Sequence, residues 1–201
     1  GAAHTHLATV DAATGLPAGP DLSADYTVFA LALDADTLFV GGSFWNVAGS
    51  ERHGLAALDL TTGAPTAWDP NVGGTVYALA FDAERVYAGG MFSTVGQNGA
   101  GGIAAISRST ALRDPWPPLL GTGLVSAVVV DQGVLYAAGD FYTSPDLGQR
   151  EDAAAFDPAT GQLTPWAFRC GSNMPVIVEA HDGIVHLGGD LFAWDPVPCV
   201  G

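Results

Sequence analysis

Lysine is missing from this chain of 201 residues, and positive charge is scarce altogether: six arginines face 21 acidic residues, for a formal net charge of −15. That balance excludes nucleic acid as a partner, because neutralising phosphates takes a basic surface. It fits an acidic protein of the cell exterior, or a surface that collects divalent cations. Glutamate is scarce too. Only Glu51, Glu84, Glu151 and Glu179 occur, with no acid/base spacing between them. GxSxG, HExxH and cofactor motifs are missing, so the sequence gives no support to catalysis and implies no cofactor beyond a bound cation. No apolar run approaches the roughly 18 residues of a membrane span. The start, "GAAHTHLA", lacks Met and the basic-then-apolar pattern of a signal peptide, as expected of a processed product or a segment. Nor does any stretch hold a 3.6-residue apolar period long enough for a helix of note.

Cysteine is nearly absent. Cys170 and Cys199 sit in no CxxC or Cys/His cluster. The pair permits one disulfide, and with it an oxidising compartment; two buried free thiols are the other reading. A bond would close a loop of about 30 residues, a staple of roughly 3 to 4 kcal/mol by chain entropy.

What is abundant is glycine (27), proline (13) and apolar residues (48%), the mixture of short strands joined by tight turns. The strands repeat. "VFALALD" (28–34) returns as "VYALAFD" (76–82), "VSAVVVD" (125–131) and "VIVEAHD" (176–182). "LFVGGSF" (38–44) returns as "VYAGGMF" (86–92), "LYAAGDF" (135–141) and "VHLGGD" (185–190). "LAALDLTTG" (55–63) is matched by "IAAISRSTA" (103–111) and "AAAFDPATG" (153–161), and Trp68, Trp116 and Trp166 close the units. Each unit reads as four short antiparallel strands over roughly 48 residues, the pattern of a β-propeller blade.

The expected fold is therefore all-β: one domain over 1–201 forming a β-propeller of four blades. The blades fall at about 28–70, 76–118, 125–168 and 176–196. The N-terminal strands, residues 4–20, resemble third-strand material ("HLATVDAATG") and would complete the last blade; an arc of a larger ring, or pairing with a neighbouring copy, are the alternatives. Paired glycines weaken a strand. At Gly41 and Gly42 they are expected to admit a neighbouring blade's apolar side chain or a bulged backbone, while Phe44, Phe92, Phe141 and the tryptophans fill the wider gaps.

The order "VYALAFD…VYAGGMFSTVG…LAALDLTTGAPTAWDPN" resembles the bacterial secreted propeller repeats called delta-60-type repeats. It is also similar to the propeller repeats of Rax2-like polarity proteins. The resemblance covers nearly the whole chain. It implies a secreted or cell-surface protein and no common activity; the third unit's loop, "YTSPDLGQRED", departs from the pattern.

Three groups of residues are candidates for function. Asp34, Asp82, Asp131 and Asp182 end the repeated strands; they would ring the axis and suit Ca²⁺, or simply cap their hairpin turns. His4, His6 and His186, with His181, could meet if the N-terminal strand pairs with the last blade, offering a zinc or copper site, or lie scattered on the surface. The long loops carry Trp45, Arg52, His53, Tyr142 and Arg150, aromatics beside arginine of the kind that recognise partners. The function expected is a non-catalytic scaffold for binding, adhesion or assembly outside the cell or on its surface. Its partner would be a protein, a glycan or another copy of itself. A filament built by strand exchange is one alternative, and a carbohydrate-binding module or enzyme on the long-loop face is another.

Overall fold

The computed structural model describes residues 4–116, 120–143, 150–168 and 175–189. Every regular element in it is a strand. The alternation of apolar side chains with small or polar ones that marks the repeats gives strands that can pack on both faces, as those of the second sheet do. β1 (Val28–Asp34), β2 (Thr37–Gly42) and β5 (Leu55–Asp59) form the first antiparallel sheet, with the small hairpin β3 (Asn46–Val47) and β4 (Ser50–Glu51) beside it. β6 (Val72–Phe81), β7 (Arg85–Val95) and β9 (Ile103–Ser107) form the second, with β8 (Asn98–Gly99) pairing the end of β7. β10 (Leu120–Asp131), β11 (Val134–Thr143), β12 (Glu151–Phe156) and β13 (Leu163–Ala167) form the third; β14 (Pro175–His181) and β15 (Ile184–Gly189) form a two-stranded fourth. None of these described sheets is closed on itself.

Consecutive sheets stack on one another. β6 lies against β1 and β2, β10 against β6 and β7, and β14 against β10 and β11. The apolar faces interdigitate: Phe39, Ala57 and Trp68 meet Val76, Val86 and Ile106 between the first and second sheets. Tyr87, Ala105 and Trp116 meet Val125, Leu135 and Phe156 between the second and third. The back of the first sheet, Val40, Ala56 and Leu58, is covered by Leu7, Leu22 and Ala24 of the N-terminal segment. That segment makes two bridges and no strand among the described residues: Ala24 with Val47, and Val10 with Pro17, the latter the counterpart of the Leu58–Pro65 and Ile106–Arg113 bridges.

The glycine pairs divide their work as expected. A β-carbon on Gly41 would lie 2.7 Å from Val76 Cγ1, and one on Gly89 would lie 2.6 Å from Val125 Cγ1. The first glycine is thus a socket for a valine of the next sheet, and Ala138 fills that position in the third. The second glycine abuts its own sheet: a β-carbon on Gly42 would collide with the Thr27 carbonyl, and one on Gly90 with that of Thr75. Those carbonyls are pushed inward by bulges at Val28/Ala30 and Val76/Ala78.

Two sequence expectations need correction. The fourth strand of each unit forms as a strand only in the third sheet; in the first two, Pro65 and Arg113 make a single bridge and the chain then leaves the ladder. The Thr66 and Asp114 N–H groups still donate to the Ala57 and Ala105 carbonyls, both at 2.8 Å, so the pairing extends one bond past each bridge. The fourth repeat also begins one residue earlier than expected. Pro175 pairs with Gly189 as Val76 pairs with Gly90, and His181, not Asp182, ends the strand. Asp182 sits in the turn at φ 52°, as Ala35 and Gln132 do in theirs. The proposed Cys170–Cys199 disulfide and the segments 117–118, 144–149 and 190–196 of the expected blades lie outside the described residues.

Candidate functional site

The pairings Gly41–Leu55, Gly89–Ile103 and Ala138–Ala153 fix which residues correspond in the three long loops. Arg52, Ala100 and Arg150 share one position. His53, Gly101 and Glu151 share the next, followed by Gly54, Gly102 and Asp152. Counting forward along the second strands, Trp45, Ser93 and Tyr142 correspond as well.

In the first sheet the expected residues come together. Asp25 Oδ1 accepts the backbone N–H groups of Trp45 and Asn46 at 2.9 and 3.0 Å, holding the loop. The Trp45 ring, 63% exposed, lies 4.6 Å from the His53 ring. His53 Nε2 is 3.0 Å from Glu51 Oε1. Arg52 Nη2 donates to the Thr66 carbonyl at 2.8 Å, and Nη1 lies 3.7 Å from Asp69 Oδ2. Arg52, His53 and Glu51 with Asp69 and Asn71 line a cleft of about 300 Å³. Tyr142 and Arg150 belong to the third sheet, where Tyr142 is 52% exposed and Arg150 Nε donates to the Trp166 carbonyl at 3.3 Å. The five residues therefore form two groups, separated by the second sheet.

Between those groups lies a feature that sequence reasoning missed. A cavity of about 670 Å³ opens between the second and third sheets, lined by Met91, Phe92, Ser93, Ala100, Arg113 and Trp116 together with glycines. It exists because the second sheet has Ala100 and Ser93 where its neighbours have arginine and an aromatic ring. Arg113 Nη1 donates to the Trp116 carbonyl at 3.3 Å. Arg113 Nε and Trp116 Nε1 are buried without a partner among the described residues. An orphaned buried donor costs about 1 to 3 kcal/mol, and here two of them belong to residues that line one cavity. The signal was in the sequence as an exception to the repeat.

The aspartates ending the strands act between and within sheets. Arg108, from the turn after β9, ion-pairs with Asp34 of the first sheet and donates to the carbonyl of Asp82 at 2.8 Å. Its guanidinium also lies over the Phe39 and Phe81 rings at 5.9 and 5.5 Å. Asp82 caps its own turn through the N–H groups of Glu84 and Arg85, both at 2.8 Å, and accepts the Tyr87 hydroxyl. Burial first, and that hydrogen bond second, push the Tyr87 phenol well above its ordinary value. Asp131 Oδ2 accepts the N–H of Gly183 at 2.9 Å, tying the third sheet to the fourth. His4 lies 3.3 Å from Asp21, His6 hydrogen-bonds the Ala24 carbonyl, and His186 is on β15. His181 Nε2 lies 3.2 Å from Asp182 Oδ2 on the surface. Among the described residues no three of His, Cys, Asp and Glu gather as a metal-holding group.

No protein-family model matches the chain, and no curated protein matches it. Solved structures do. The chain is similar to the computationally designed Ika4 protein, with a TM-score of 0.58 and 17% identity over 83% of this chain and 87% of that one. It is also similar to the computationally designed Ika8 protein, with a TM-score of 0.54 and 16% identity over 83% of this chain but 44% of that one. At such identity the likeness is one of fold alone. No helix among the described residues is long and apolar enough to cross a membrane.

Proposed function

We propose that this chain is a non-catalytic β-propeller scaffold, acting outside the cell or at its surface, that binds a protein or glycan through its long-loop end. One observation carries the reading. Across the first three sheets the frame is held nearly constant while the loop end is not: glycine or alanine at the socket position, valine entering the Gly41 and Gly89 sockets, buried Phe44, Phe92 and Phe141, and buried Trp68 and Trp116 recur. The corresponding loop positions read Trp45, Ser93, Tyr142 and Arg52, Ala100, Arg150. A constant frame with diverse, partly exposed residues at one end is the plan of a recognition surface.

The stacking order of the sheets supports the propeller reading, and the two solved neighbours fit a repeated array. From the coverages, Ika8 is about twice the length of Ika4, yet both match the same share of this chain at similar scores. That is how a modular array behaves. Ring closure is the natural completion. On β1, Leu31 and Leu33 are 53% and 57% exposed, although their counterparts Leu79 and Phe81 pack against the preceding sheet. On β14 Ile177 is 58% exposed, and the socket at Gly188 meets no other sheet among the described residues. Laying the β14–β15 hairpin over Leu31 and Leu33, edge to edge with residues 7–10, would cover both faces and complete a fourth blade. The resemblance of the repeat to delta-60-type and Rax2-like repeats supports the extracellular setting.

A screen of the protein against glycans and extracellular proteins tests the binding role. The expected result is a specific partner lost in Trp45→Ala or Tyr142→Ala with the melting temperature unchanged. Chemical turnover of that partner would replace the scaffold reading with an enzyme. The same uncovered faces also favour a second reading, since Leu31 and Leu33 of one copy could receive β14–β15 of another, giving a filament. Light scattering that rises with protein concentration, and uniform fibres under the electron microscope, would select it.

A further inference from the structure

We infer that the cavity between the second and third sheets binds a small organic carboxylate, its apolar body against Phe92 and Trp116 and its charge answered by Arg113. This deepens the reading of the long-loop end as a binding surface and rests on it. In the first and third sheets the corresponding space is taken by an arginine: Arg52 reaches the Thr66 carbonyl and Arg150 the Trp166 carbonyl. In the second sheet Ala100 leaves that space open, and about 670 Å³ remains, within the range of small-molecule sites. Arg113 approaches from the opposite strand and holds only the Trp116 carbonyl.

Charge selects the ligand. Arg52, Arg85 and Arg108 each have a carboxylate partner, Asp69, Asp114 and Asp34. Arg113 has none among the described residues, and its Nε, like that of Arg52, is buried without a partner among them. The Trp116 indole N–H is buried and unbonded too, whereas the corresponding Trp68 donates to the Ser107 carbonyl at 2.8 Å. Arg113 and Trp116, each with an orphan donor, both line this apolar cavity, and a ligand with two acceptor oxygens and a negative charge would answer them. Met91, 58% exposed at the mouth, is an adaptable wall for its apolar part.

The test is a titration with phenylacetate and its uncharged amide, phenylacetamide, read by tryptophan fluorescence and calorimetry. Saturable phenylacetate binding, with the amide weaker by about tenfold or more, is expected. Ala100→Arg should abolish binding of both while leaving the melting temperature unchanged, since arginine already occupies that position in the neighbouring sheets. Arg113→Gln should erase the preference for the acid over the amide. Failure of phenylacetate to bind up to its solubility, equal binding of acid and amide, or undiminished binding by Ala100→Arg would overturn the inference. A macromolecular partner bound through Trp45 should still bind Ala100→Arg, so the two readings fail independently.

Discussion

Asp152 holds in the third sheet the left-handed backbone that Gly54 holds in the first, with φ of 65° and 67°. Gly102 takes the same position in the second sheet at 82°. Only Asp152 carries a β-carbon there, and burial, then the charges of Asp140 and Glu151, raise its carboxyl above the ordinary value. The position thus holds a strained and electrostatically disfavoured side chain.

Asp152→Gly should raise stability by about 1 kcal/mol, the relief of strain being partly offset by glycine's freedom in the unfolded chain. Asp152→Asn separates the charge from the strain. An acid whose folded pKa is raised destabilises the fold when ionised, so the Asn variant should gain at neutral pH. The gain should fade as pH falls past the raised value and vanish below 3.8. Urea denaturation across pH checks both variants, and a pH-independent gain for Asn would refute the electrostatic part.

The socket between the first two sheets is open to a double-mutant cycle. Gly41→Ala should cost about 1 to 3 kcal/mol through collision with the stiff Val76 side chain. Val76→Ala alone should cost about 2 kcal/mol by opening a cavity. The two together should cost less than their sum, because each relieves the other; additive costs would mean the two residues do not meet. Gly42→Ala has no such remedy, since the obstacle there is a backbone carbonyl.

Arg108→Met keeps the apolar stem over Phe39 and Phe81 but removes the link to Asp34 and the carbonyl of Asp82. A loss of about 1 kcal/mol is expected for partly exposed groups of this kind. The ion-pair part should shrink in high salt, so the difference from the parent protein should narrow as salt rises. A difference independent of salt would assign the loss to the carbonyl bond instead.

Three turns repeat one acidic cap. Asp11 accepts from Thr14, Asp59 from the backbone of Thr61 and Thr62, and Asp157 from that of Ala159 and Thr160. These bonds hold all three carboxyls below the ordinary 3.8. Each contribution is therefore full above 3.8 and lost as pH falls through the lower folded value. Asp59→Ala should lower stability at pH 7 and flatten its decline in acid. An unchanged acid limb would show that the cap contributes nothing.

The strands were legible where alternation and turn chemistry agreed, as at Val28–Asp34, whose bounds the structure keeps. At the fourth repeat aspartate is a misleading marker of the strand end, since the strand runs from Pro175 to His181. The Asp182–Gly183 pair is instead the turn, and a hairpin turn fixes register more firmly than any one side chain. Fourth strands were overestimated because Trp68 and Trp116 do pack between sheets without the backbone staying in a ladder. At the site, Trp45, Arg52 and His53 stood out as large or charged residues in a loop and do gather. Ala100 did not stand out. Its meaning comes from the volume that Arg52 and Arg150 fill elsewhere, and an empty volume becomes visible only once the sheets are superposed.

The sockets have a direction. Val76 of the second sheet enters the Gly41 site of the first, and Val125 of the third enters the Gly89 site of the second; the valine comes each time from the later sheet. A donor face and an acceptor face are therefore different surfaces, and neither complements itself. Neither face can pair with its own copy across a two-fold axis; two copies can join only with donor on acceptor in both directions, which closes a ring. Any joining has to run one way, donor to acceptor, and it ends only when the last acceptor meets the first donor.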